Sequence, residues 1–407
     1  MKIKVGVIFG GESVEHEVSI ISAVQAMYKM DRNKYDVIPI YITKDREWYT
    51  GEILKDMDSY QDLDLLKRYT KNVTLYCKNG EFVLQNKKGF KTTVATIDIM
   101  FPIVHGTNVE DGTLQGYLQT VGIPYVGSNV FASAVGQDKV FMKQIFESEH
   151  LPLKKYVWFY DKDYKVDGDE ILKKIKKLKY PMIVKPATLG SSVGIGKAAN
   201  EEELTAAIED AMNYDNKIIV EEMVENLTEV NISVLGNYQT QELSEIEEVI
   251  PTKDILTYED KYIGDGKTKG KAGLKNSSTG SKGMLSANRK IPATIKDALK
   301  NDVREVAVKA FKALGSSGVC RIDFLVDTKE EKIYINEINS CPGSLAFYLW
   351  EPLGKDYTEL LDEMINIGVK DYRERTAKTH TFDTNILKGY AGMKGTKFLK
   401  GSKGLKR

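Results

Sequence analysis

Arg321-Ile-Asp-Phe-Leu-Val-Asp327 and Ile333-Tyr-Ile-Asn-Glu-Ile-Asn339 hold the side chains best suited to chemistry in this chain of 407 residues. Each alternates with the period of a β-strand, and the polar Thr328-Lys-Glu-Glu-Lys332 between them suits a hairpin loop. A hairpin centred on that loop would set Asp327 opposite Ile333, Leu325 opposite Ile335 and Asp323 opposite Glu337. Asn339 would follow two residues later on the same face. Two carboxylates opposed on one sheet face repel each other. A hard divalent cation between them removes the conflict, since Mg²⁺ takes one or two carboxylates together with substrate phosphates. The pattern predicts a metal-nucleotide platform; the simpler alternative is two solvated acids on an exposed sheet face.

A second candidate is Gly190-Ser-Ser-Val-Gly-Ile-Gly196, directly after a predicted strand, Tyr180 to Lys185. Small residues let backbone N–H groups approach phosphate oxygens, and serine hydroxyls add donors. Its spacing is neither that of a Walker loop nor that of a dinucleotide fingerprint. Alone such a loop is usually only a turn. Ahead of a strand ending Glu221-Glu222 and then the acidic hairpin, it becomes a candidate phosphate cradle.

These groups need a scaffold, and the flanking patterns supply one. Ile3 to Phe9 is apolar-rich, Gly10-Gly11 turns the chain, and Val18, Ile21, Val24 and Met27 recur at helical spacing. Val37 to Ile42 and Ile97 to Val104 read as further strands. That βαβ rhythm predicts a parallel sheet covered by helices, with residues 44 to 92 as an elaboration. A second unit is expected from about Ser128, with a helix over 132–149, strands at 180–185 and 217–222, and a helix over 201–212. A third is expected to hold strands at 230–235 and 242–249, a helix over 295–314 and the hairpin.

The length suggests two or three domains. Lys plus Arg and Asp plus Glu number 58 each, so no global field draws the chain to nucleic acid or membrane. The opening apolar run soon meets Glu12 and Glu15, unlike a signal peptide, and no stretch has the length of a membrane span. Cys77, Cys320 and Cys341 are sparse and lack metal-ligand spacing, as expected in a reducing cytoplasm. Two segments differ in composition. Residues 264–290 carry six glycines and seven basic residues against one acid, and residues 371–407 carry ten Lys or Arg against three acids. The second is expected to be a solvated, partly flexible extension.

Taken in order, the motifs resemble the D-alanine–D-alanine ligase family of the ATP-grasp superfamily over about residues 3 to 370. The motifs are Gly10-Gly-Glu-Ser-Val-Glu-His-Glu-Val-Ser19, Phe101-Pro-Ile-Val-His-Gly106, Glu110-Asp-Gly-Thr-Leu-Gln-Gly116, Asp138-Lys139, Val184-Lys-Pro186, Lys261-Tyr262, Arg321-Ile-Asp323, Asn336-Glu-Ile-Asn339 and Pro342-Gly343. The resemblance implies an α/β protein, α+β in its ATP-grasp part. A Rossmann-like parallel-sheet domain (1–127) would precede central (128–221) and C-terminal (222–370) ATP-grasp subdomains, with a mobile loop at 257–290 and the basic tail at 371–407.

It also implies a chemistry. ATP would phosphorylate the carboxylate of a first amino acid, and the amine of a second would attack the acyl phosphate, giving D-alanyl-D-alanine for peptidoglycan precursors. Asp323, Glu337 and Asn339 would hold two Mg²⁺ ions, with Mn²⁺ as a substitute. Lys139 and Lys185 would contact phosphates under the Gly190-Ser191-Ser192 loop. Glu221, Glu222 and Val224 would border the adenine and Glu229 the ribose, with Lys261 and Asn336 also on the nucleotide. Arg321 and the Gly343 N–H would stabilise the oxyanion. Glu15 would bind the first substrate's ammonium, His105 would lie beside that substrate, and Glu15, Ser191 and Tyr262 together would order the loop over the site. Expected partners are small amino acids and a second copy of the chain in a homodimer.

The chain departs from the family pattern in three places. Where the family carries a serine five residues after the glycine, for the second substrate's carboxylate, this chain has Tyr348. The loop after Tyr262 is longer, and the tail has no counterpart. Two other functions therefore stand beside the leading one: a ligase using a different second substrate, and a non-catalytic nucleotide-binding regulator.

Overall fold

The computed structural model describes residues 2–250, 289–382 and 384. Lys261, Tyr262 and all but the last two residues of the expected mobile loop lie outside the described residues. The chain divides into two units, residues 1–370 and residues 371–407.

The first sheet has the order β6-β5-β4-β3-β2-β1-β7. Its strands are β1 (Ile3–Gly10), β2 (Tyr35–Ile42), β3 (Trp48–Thr50), β4 (Lys71–Lys78), β5 (Glu81–Asn86), β6 (Thr93–Ile97) and β7 (Ile99–Ile103). β1 lies parallel to both β2 and β7, whereas β3 to β6 form an antiparallel extension from the segment expected to be an elaboration. Helix α1 (His16–Lys29) packs beside this sheet, α2 (Leu63–Arg68) belongs to the extension, and α3 (Thr113–Val121) follows β7. Flanked by β2 and β7, β1 is buried from Val5 onward, which is why Val5 to Phe9 is an apolar run.

Helices α4 (Val130–Gln137) and α5 (Lys139–Ser148) replace the one helix expected over 132–149. The break is at Asp138, whose backbone is extended and whose carboxylate accepts N–H bonds from Val140 and Phe141. An aspartate that caps its own following helix stops the preceding one. The second sheet, in the order β10-β9-β11-β8, is antiparallel and comprises β8 (Tyr156–Tyr160), β9 (Met182–Pro186), β10 (Gly196–Ala198) and β11 (Lys217–Glu222). Helices α6 (Asp161–Ile175) and α7 (Glu201–Ala211) join its core.

The third sheet, in the order β14-β13-β12-β15-β16, holds β12 (Leu227–Gly236), β13 (Gln241–Val249), β14 (Arg289–Lys290), β15 (Gly318–Asp327) and β16 (Lys332–Asn339). One face packs on α8 (Asp297–Ala313) through Ile232, Ile322, Phe324, Val303 and Phe311. Helix α9 spans Tyr357–Thr376.

The acidic hairpin forms, with a correction to its register. Asp323 faces Glu337 as expected, but Leu325 faces Tyr334 and Asp327 faces Lys332. Asn336 is an extra residue on β16, a bulge between the Asp323 and Phe324 pairings. Strict alternation would have put Glu337 on the face of Ile333 and Ile335, which is buried against the core. The bulge changes the phase, so Asn336 and Glu337 both face the cleft while Ile338 returns to the core.

Candidate active site

The cleft face of the third sheet carries Arg321, Asp323, Asn336, Glu337 and Asn339, half-buried between two sheets. Asp323 accepts bonds from Arg321 Nε and Nη2 at 2.7 and 2.8 Å and from Asn339 Nδ2 at 3.2 Å. Burial raises the Asp323 carboxyl above its usual range while Arg321 opposes it. Across the cleft, Lys139 Nζ sits 3.4 Å from Glu337 Oε2 and donates to Leu189 O at 2.7 Å. Lys185 Nζ donates to Asn336 Oδ1 at 2.9 Å and pairs with Glu221 Oε2 at 2.7 Å. The two lysines thus bring the second sheet and the loop at 188–194 against the acidic hairpin.

Glu221 does more than border a base. It is buried between Lys143 (2.6 Å) and Lys185 (2.7 Å). Burial would raise its pKa, but the two ammonium groups outweigh that and hold it at about 2. Lys143 went unassigned in the sequence, although it lies four residues after Lys139 and so on the same face of α5. Glu222 sits 3.8 Å from Lys154 and accepts from the Lys179 N–H, Val224 is buried and Glu229 is exposed.

Ser191 and Ser192 have φ of 54° and 61°, a left-handed turn that carries the Gly190 loop back over the cleft. Ser191 Oγ donates to Glu15 Oε1, joining that loop to the start of α1. Gly106 has φ of 79°, and a Cβ there would lie 2.4 Å from Ser13 Oγ and 2.9 Å from Glu15 Oε2. No side chain fits beneath Glu15.

His105 uses both ring nitrogens inside the protein. Nδ1 lies 2.8 Å from Cys341 O and Nε2 lies 3.0 Å from Ser22 Oγ. Ser22 Oγ also accepts the Ser344 N–H at 2.9 Å, so its own proton goes to Nε2 and His105 carries its proton on Nδ1. Burial lowers the His105 pKa to about 4, against the pull of the Cys341 carbonyl. The imidazole therefore anchors the turn that bears Gly343. Glu110 anchors it too, accepting from Ser340 Oγ (3.2 Å), the Cys341 N–H (3.0 Å) and the Gly106 N–H (3.0 Å). Burial, and then Glu15, push its carboxyl up to about 7. Ser344, Leu345 and Ala346 follow with φ of 50–53°, a run of left-handed residues that only such anchoring sustains.

Tyr348 points inward. Its phenol donates to Glu247 Oε1 at 3.4 Å, and the Arg289 guanidinium lies 4.3 Å from its ring centre. Glu247 also accepts from Asn231 Nδ2 at 2.8 Å and pairs with Arg289 Nη1 at 3.3 Å. None of Glu247, Asn231 and Arg289 was singled out in the sequence. A lone acid or arginine in a strand carries no signal until the sheet order sets them side by side.

The donor set fits a hard divalent ion completed by phosphate. Asp323, Glu337 and Asn339 offer oxygen ligands from one face, and among the described residues no three His, Cys, Asp or Glu side chains are grouped to hold a metal unaided.

The family models for the N-terminus and the C-terminus of D-ala D-ala ligase match residues 4–128 and 145–366. The chain belongs to the D-alanine–D-alanine ligase family. A D-alanine–D-alanine ligase of Thermosipho melanesiensis is 40% identical over 95% of this chain and 98% of its own length. Among solved structures, the D-alanine–D-alanine ligase of Coxiella burnetii superposes with a TM-score of 0.75 at 27% identity, covering 92% of this chain and 96% of its own. The VanG D-Ala:D-Ser ligase of Enterococcus faecalis does so with 0.73 at 30%, covering 90% and 100%. The ligase family's ATP-grasp fold accounts for two antiparallel sheets closing on one cleft, with the parallel-containing sheet beside them.

Proposed function

We propose that the chain is an ATP-dependent ligase that joins two D-alanines through an acyl phosphate, for peptidoglycan precursor synthesis. One observation supports this most: two buried lysines and an oxygen-rich hairpin meet across a cleft, next to a turn held with its backbone in a fixed, strained shape. Phosphoryl transfer is largely positioning and charge neutralisation, which is what such a cleft offers.

Asp323, Glu337 and Asn339 would hold two Mg²⁺ ions, or Mn²⁺, which neutralise phosphate charge. Lys139 and Lys185 bind the phosphates, and Gly190, Ser191 and Ser192 cover them. Asn336 and Glu221 hold Lys185 in place, while Glu222, Val224 and Glu229 line the base and ribose. Glu15 takes the first substrate's ammonium. Arg321 and the Gly343 N–H stabilise the oxyanion, and His105 keeps that turn in register. Lys261 and Tyr262 would close over the cleft. Two copies would assemble as a homodimer in the cytoplasm, which light scattering of the purified chain would test.

The deciding experiment supplies Mg²⁺, ATP and amino acids in pairs, D and L, and identifies products by mass. D-alanyl-D-alanine with stoichiometric ADP is expected. ATP binding without amino-acid-dependent ADP release would overturn the reading and favour a regulator. Tyr348 sustains one second reading, a different acceptor. VanG pairs D-alanine with D-serine, so D-serine is the first alternative to include.

A further inference from the structure

We propose that Arg289, in contact with the Tyr348 ring and oriented by Glu247, binds the carboxylate of the second amino acid. The inference rests on the ligase reading. In that reaction the first substrate's carboxylate becomes the acyl phosphate and then the new amide. The second substrate's carboxylate stays ionised throughout, so it alone calls for a lasting cationic partner.

Across the third sheet the cleft face runs Arg289, Glu247, Asn231, Asp323, Glu337, one from each successive strand. Asn231 pairs with both Glu247 and Asp323, Asp323 with Glu337, and Arg289 lies opposite Val249, two residues from Glu247 on the same face. Lys139 and Lys185 stand at the Glu337 end, where the phosphates go. Arg289 stands at the far end, beyond Arg321. Three strand steps of about 4.8 Å separate β14 from β15, a gap spanned by an arginine side chain plus one amino acid.

The guanidinium is built to receive a planar anion. Its central carbon lies 4.3 Å from the Tyr348 ring centre, a cation–π contact, and its planar fork suits bidentate carboxylate binding. Glu247, 3% exposed, is a buried counter-charge, whereas the Arg289 side chain keeps 19% exposure. Tyr348, at the place of the family's carboxylate-binding serine, spends its hydroxyl on Glu247. The serine's task therefore passes to the arginine that the phenol ring supports.

The test is internal competition between D-alanine and D-alaninamide as acceptors, with D-alanine and Mg·ATP supplied. D-alaninamide has no carboxylate, so it cannot be activated and reports the acceptor position alone. The natural chain should favour D-alanyl-D-alanine strongly over D-alanyl-D-alaninamide. Arg289→Gln should shrink that product ratio roughly tenfold to hundredfold, and Arg289→Lys, which keeps charge without the fork, by less. An unchanged ratio in Arg289→Gln overturns the inference. So does loss of both products in both variants, because the amide acceptor has no carboxylate for Arg289 to release. If the natural chain makes no D-alanyl-D-alanine, the ligase reading fails instead.

Discussion

Glu337 is the residue on which most of the proposed charge balance converges. In the structure it faces Asp323 across the hairpin and Lys139 across the cleft. Glu337→Gln removes one negative charge that two metal ions would share, so turnover should be abolished while the fold persists. Near-normal ADP release at ordinary Mg²⁺, with unchanged circular dichroism, would remove Glu337 from the metal site. His105 gives a prediction of the opposite kind, on stability. Its folded pKa is depressed to about 4, so the neutral ring contributes stability that is present above pH 6.5 and lost as pH falls through 4. His105→Gln can donate to Cys341 O and accept from Ser22 without gaining charge. The variant should therefore lose roughly 2–4 kcal/mol less than the natural chain between pH 7 and pH 4 in urea melts. Parallel pH profiles for the two proteins would contradict the neutral, buried ring.

At the scale of elements, much was legible in the sequence. The strand at 217–222, with its apolar run Ile218 to Val220, and the period-3.6 stretch at 297–313 fall where expected, because local pattern and burial agree there. What escaped was phase. Nothing in Ile335-Asn-Glu-Ile338 announces which of the two adjacent polar residues is the extra one. The break at Asp138 was also hidden, because a helix-capping aspartate looks like any surface acid. Candidate residues carried on motifs were nameable one by one. Lys143, Glu247, Asn231 and Arg289 were not, because their meaning comes from pairings between elements distant in sequence. Gly106 belongs with them: its need for φ of 79° beneath Glu15 arises only once α1 and β7 lie side by side.

At the scale of the whole chain, the cleft lies between two antiparallel sheets joined in the structure by the Lys139–Glu337 and Lys185–Asn336 contacts. A ligand that adds charge-assisted bonds across that gap stabilises the folded state by mass action. Mg·ATP at about 100 times its dissociation constant should contribute about 2.7 kcal/mol, read as a rise in melting temperature. ATP with excess EDTA should give a clearly smaller rise and no ADP release, since the acidic hairpin would then face the phosphates uncompensated. Equal shifts with and without divalent metal would place the nucleotide away from Asp323 and Glu337. Lys and Arg balance Asp and Glu over the chain, so binding should depend on this local arrangement and little on a general field.

The extra residue in β16 has an evolutionary consequence. If Asn336 were deleted, Ile333, Ile335 and Ile338 would fall on one face and Tyr334, Glu337 and Asn339 on the other, a flawless strand. The alternation of β16 has no use for Asn336, whose amide instead stands against Lys185. A protein lacking Asn336 should melt at the same temperature as its parent or higher, yet bind nucleotide about tenfold more weakly for want of that bond. Were it to unfold, the irregularity would belong to the scaffold after all. If it melts as expected and binds more weakly, this one position records selection for catalysis against selection for stability.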